Sequence, residues 1–82
     1  MILSVLTPGK EVYHGEITSV KVPGITGQFE ILKGHAAIVS ALGEGSVRIL
    51  TFKGETINYT IEKGFIEVLN DDVALLVQGL TE

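Results

Sequence analysis

Cysteine is absent from the 82 residues, which removes a disulfide framework, a thiolate metal site and a cysteine nucleophile at once. Cations are also scarce. Six Lys and Arg stand against ten Asp and Glu, a net charge of −4, and Lys10, Lys21, Lys33, Arg48, Lys53 and Lys63 are scattered singly. No cluster of them could neutralise a row of phosphates, so nucleic acid is not an expected partner. Long apolar runs are missing too: the longest, Val73 to Val77, is far short of the roughly 20 residues that span a bilayer. No basic region opens the chain at Met1–Ser4. A soluble protein without membrane insertion is expected. The length holds one domain, residues 1–82, and one modest core.

Alternation is what the sequence does have. Val20 and Val22 alternate with Ser19 and Lys21, and Ile57, Tyr59 and Ile61 alternate with Thr56, Asn58, Thr60 and Glu62. That period of two, with many β-branched residues, belongs to strands with one buried face. Turn residues recur at Pro8-Gly9, Pro23-Gly24, Gly43-Glu44-Gly45, Lys53-Gly54 and Asn70-Asp71-Asp72. Strands are expected near 2–6, 10–14, 16–22, 27–32, 36–41, 46–52, 55–62, 65–69 and 73–78, with a short helix over 35–42 as the alternative there. The fold class is all-β, a sandwich or small barrel. Ile49, Leu50 and Phe52, like Val73 to Val77, are apolar at both parities, which places them in doubly covered strands or against another protein.

Chemistry finds little support in the residue pattern. His14 and His35 are 21 positions apart without helical spacing, and zinc would need two further ligands from scattered carboxylates. Ser4, Ser19, Ser40 and Ser46 lie in or beside strands with no base in local reach, although a distant partner is left open. Glu30 and Glu67 are read as solvent-facing strand residues rather than general acids. Gly24 to Gly27 and Gly43 to Gly45 lack the Gly-Lys-Ser/Thr ending of a phosphate loop. Neither cofactor, metal nor small-molecule substrate is expected. Three alternatives to a protein-binding domain stay open: an enzyme built on His14, His35 and a carboxylate; a ligand-binding sandwich; and a carrier domain modified at Lys53.

The segment Gly27-Gln28-Phe29-Glu30-Ile31-Leu32-Lys33-Gly34-His35-Ala36-Ala37-Ile38 resembles the Gly-x-Phe-x-x-Leu-x-Gly-His-Ala-x-Leu signature of the F-type ATP synthase epsilon subunit. Other pieces fit in the same order: Leu6-Thr7-Pro8 with Tyr13 and Gly15, Val20 to Gly24, Gly45 to Ile49, and Gly64 to Val68. The resemblance implies the N-terminal β-sandwich domain of that subunit, with two roughly five-stranded antiparallel sheets. It implies a non-catalytic rotor subunit on the cytoplasmic face of the bacterial inner membrane, peripheral to it. There it would join the gamma subunit to the c-ring, so that ion flow turns the central shaft and drives ATP synthesis. Gln28, Glu30, Lys33 and His35 are the expected ring-docking residues, with Gly27 and Gly34 setting loop geometry. Leu50 and Phe52, or Leu76 and Gln78, are the expected gamma face.

Three residues depart from the pattern. Lys33 and Ala37 stand where proline is usual, which loosens the loop, and Glu30 stands where glycine is common, which gives the strand entering the loop a side chain to accommodate. The two-helix hairpin that commonly follows this domain in bacterial members, and that restrains ATP hydrolysis, has no counterpart after Leu80-Thr81-Glu82. A short form of the subunit and a truncated longer one both fit this ending.

Overall fold

A computed structural model describes residues 1–82, all in strands and connections. The eight strands are β1 (Ile2–Thr7), β2 (Lys10–Gly24), β3 (Gly27–Leu32), β4 (Ile38–Leu42), β5 (Gly45–Thr51), β6 (Thr56–Ile61), β7 (Lys63–Leu69) and β8 (Asp72–Gln78). Segment 35–42 forms no helix: three alanines do not outweigh the pairing of Ile38 through Leu42 with β7.

The expected break at Gly15 does not occur, and this changes the architecture. Strand β2 is continuous over 15 residues and serves both layers of the sandwich. Its first half, Lys10 to Glu16, pairs with β1; its second half pairs with β3 on one edge and β5 on the other. A register shift between Ile17 and Ser19 marks where the strand leaves one layer for the other, the corner-forming role of a bulge. One layer is thus β3-β2-β5-β6 and the other β2-β1-β8-β7-β4, linked through β2 into one eight-stranded mixed sheet. The far end of the second layer also returns to β2, where Gly24 pairs with Leu42 and the Gly43 N–H donates to the Pro23 carbonyl at 2.9 Å. Every ladder is antiparallel except β1 with β8, which run parallel with Leu3 opposite Val73 and Val5 opposite Leu75.

Sixteen buried apolar side chains fill the space between the layers, and twelve of them are Val or Ile. Their parity follows the alternation in the sequence: Val20 and Val22 in β2, Tyr59 and Ile61 in β6, Ile66 and Val68 in β7 all point inward. No buried side-chain nitrogen or oxygen lacks a hydrogen-bond partner. The interior is thus an apolar packing core with its buried side-chain polar atoms satisfied.

Candidate functional site

The outward faces of the two layers differ in chemistry. On the five-stranded layer the registers place Leu6, Leu76, Phe65 and Ala41 side by side across β1, β8, β7 and β4. Phe65 is 55 % exposed and Leu76 42 %. These side chains line a groove of about 640 Å³ that runs on to Pro8 and to Ile25 in the β2–β3 turn, with Lys63 and Gln78 among its polar lining residues. Gly64 lets the strands close beneath it: a Cβ there would stand 2.5 Å from the Leu76 carbonyl oxygen. The next row along, Ser4, Ala74, Glu67 and Val39, is already mixed in polarity, so the apolar surface is concentrated at one end of the layer.

The four-stranded layer carries a charged row instead. Glu30, Lys21, Arg48 and Asn58 are neighbours across β3, β2, β5 and β6. Leu32, Ser19 and Leu50 form the adjacent row, and Phe52 is exposed in the β5–β6 turn. The two expected gamma faces therefore lie on opposite sides of the molecule. Leu76 and Gln78 belong to the continuous apolar groove, whereas Leu50 is half-buried and Phe52 stands apart in its turn.

Strand β3 is an edge strand, paired only with β2. Gln28 and Glu30 are exposed on its outer face, while Ile31 is buried and Phe29 packs against the core. Gln28 sits at the β2–β3 end, and Lys33 and His35 lie beyond the opposite end, roughly 17 Å away by the rise of a strand. The four expected docking residues thus form a ridge along one edge rather than a cluster. Gly27 and Gly34 both have positive φ, +139° and +82°, a region that favours glycine.

The turn after β3 is closed by the His35 N–H donating to the Leu32 carbonyl at 3.0 Å. His35 is half-buried, and its Nδ1 lies 2.7 Å from the Ala36 carbonyl oxygen. A carbonyl only accepts, so Nδ1 carries the proton and Nε2 is the nitrogen left for an outside partner.

One contact was not foreseen from the sequence. Ser4 Oγ and His14 Nδ1 share a hydrogen bond of 2.9 Å across the β1–β2 ladder, and the same nitrogen lies 4.0 Å from the Glu11 carboxylate. Ser4 opposite His14 follows from the register and could have been found only by pairing the strands first. A hydroxyl relay needs one imidazole nitrogen for the serine and the other for the carboxylate; here both partners address Nδ1. No group of three or more His, Asp or Glu is placed to hold a metal ion.

Residues 1–82 match the family described as ATP synthase, Delta/Epsilon chain, beta-sandwich domain. The chain belongs to the ATP synthase delta/epsilon family. An ATP synthase epsilon chain of Chlorobium limicola is 42% identical over 80 residues, spanning 96% of this chain and 90% of that one. One from Leptospira borgpetersenii is 45% identical over 75 residues, 90% of this chain but 58% of its own length. Delta/epsilon relatives thus occur both near this length and much longer. The fold is also that of a chain in the cryo-EM structure of the Euglena gracilis mitochondrial ATP synthase, OSCP/F1/c-ring, with a TM-score of 0.92 at 19% identity over 99% of this chain and 52% of that one. A chain of the Tetrahymena thermophila mitochondrial ATP synthase, central stalk/c-ring, superimposes with a TM-score of 0.83 at 19% identity, over 100% of this chain and 66% of that one.

Proposed function

We propose that this delta/epsilon domain is a non-catalytic central-stalk subunit of an F-type ATP synthase, peripheral to the cytoplasmic face of a bacterial inner membrane, that couples rotation of the c-ring to the gamma subunit. The exposed apolar groove around Leu76 and Phe65 carries this reading, because its end position on one layer gives a footprint for an apolar partner beside an edge strand of different chemistry. The groove, with Leu6, Leu76 and Gln78, takes the gamma subunit. The ridge from Gln28 through Glu30 to Lys33 and His35 meets the polar loops of the ring, offering hydrogen bonds and both signs of charge. Two separate footprints on one stiff sandwich are what a torque link requires, since a close-packed interior passes a load on rather than absorbing it. Relatives named as epsilon chains, and structural likeness to chains in assemblies that include a c-ring, support the same reading.

The test is a binding assay with purified gamma subunit and detergent-solubilised c-ring. Leu76→Glu should weaken gamma binding by roughly 10-fold or more, as expected for a charge placed in an apolar hot spot, and leave ring binding intact. Gln28→Arg should do the reverse. Binding of neither partner by the parent chain would leave a free-standing protein-binding sandwich as the better description.

A further inference from the structure

Among the N–H groups that the closing hydrogen bond of a four-residue turn leaves unused is that of the third residue. In the turn Leu32-Lys33-Gly34-His35 this is the N–H of Gly34, since His35 already donates to Leu32. The peptide joining the second and third residues can face either way, and type I and type II turns differ by a half-rotation of it. Gly34 has a φ of +82°, the type II value. Its N–H donates to Asp71 Oδ1 at 2.8 Å, a residue 37 positions further along the chain.

Asp71 is well placed to hold that peptide. It is half-buried in the two-residue turn between β7 and β8, where Asn70 and Asp71 have φ of 51° and 64°, the type I′ pattern. Its carbonyl accepts the N–H of Ile2 at 3.0 Å, so its backbone is fixed to the start of β1 while its side chain reaches the turn after β3. Glycine would sit in this left-handed position with less strain than aspartate. An acidic side chain gives up that conformational ease and supplies an acceptor in return.

We propose that Asp71 is a positioning residue that latches the Lys33–Gly34 peptide in its type II orientation, and so sets how Lys33 and the Nε2 of His35 are presented to a partner. The proposal rests on the docking role given above to the ridge that ends at His35. With proline absent from position 33, nothing inside the turn restricts Lys33 φ as that ring would, and the restraint comes instead from the β7–β8 turn.

Two substitutions separate the acceptor from the turn that carries it. Asp71→Gly keeps the left-handed position comfortable and deletes the acceptor; Asp71→Asn keeps Oδ1 and the turn preference and deletes only the charge. Amide exchange of Gly34 by NMR and affinity for solubilised c-ring would be measured on both variants of the full chain. Asp71→Gly should speed Gly34 exchange roughly tenfold and weaken ring binding about fivefold, with Asp71→Asn within about twofold of the parent on both. Unchanged Gly34 exchange in Asp71→Gly, or an Asp71→Asn variant as impaired as Asp71→Gly, would overturn the latch. A parent chain that does not bind the ring would remove the docking role instead, and the exchange measurement alone would then decide whether Asp71 holds the peptide.

Discussion

Lys33 occupies the second position of a turn whose third residue has positive φ, follows a residue in strand conformation, and has an N–H with no main-chain acceptor. Proline satisfies all three conditions. Lys33→Pro should therefore raise stability by about 0.4–1 kcal/mol, mainly by restricting the unfolded chain, read as a higher urea midpoint at unchanged slope. Tyr59 sets a limit at high pH. Burial, then the charge of Glu82, then Tyr13, push its hydroxyl above the usual tyrosine value of 10.0. The unfolded chain ionises near that value while the folded chain stays neutral, so this contribution to stability is full below it and is lost as pH rises through the folded value. Urea unfolding from about pH 9 to about pH 11 should show the parent losing stability and Tyr59→Phe losing less. A parallel decline in both proteins would assign the loss to other groups.

Among the elements, the pairing of β7 with β8 governs the groove. With Gly64 replaced by alanine, the new Cβ would meet the Leu76 carbonyl at 2.5 Å and Val77 Cγ1 at 2.9 Å, so the two strands must part. Gly64→Ala should cost about 1–3 kcal/mol, seen as a lower thermal midpoint, and should loosen the floor under Leu76 and Phe65. The sequence made most of these elements readable. Alternation located the core parity of β2 and β6, and the Asn70-Asp71 pair located a turn, because period and turn chemistry are local properties. Gly15 misled for a matching reason. Glycine weakens a strand by its own propensity, but here the space a Cβ would take is filled by the ring of Tyr13, 3.1 Å from it at the hydroxyl, and the β1 ladder carries the strand through. Pro23 was expected in a turn and is instead buried near the end of β2, packed against Gly45.

Across the whole molecule, what the sequence could not show was adjacency. Gln28 and His35 are seven positions apart and read as one loop, yet an intervening strand holds them at opposite ends of an edge. Asp71 belongs to no recognisable motif, and its approach to Gly34 depends on the docking of β4 along β7, where Ile38 lies opposite Val68. Leu76 was legible as apolar on an otherwise outward parity, but its neighbours Leu6, Phe65 and Ala41 come from three other strands. The parallel ladder between β1 and β8 joins the first strand to the last. Residues 2–6 can complete their pairing only once residues 72–76 are available, the longest loop closure this chain offers. During synthesis the second layer therefore stays open along that seam, with Leu3 and Val5 lacking their β8 neighbours, until residues 72–76 have left the ribosome. A seam between strands so far apart in sequence is the kind of contact that slows the folding of all-β topologies, even small ones.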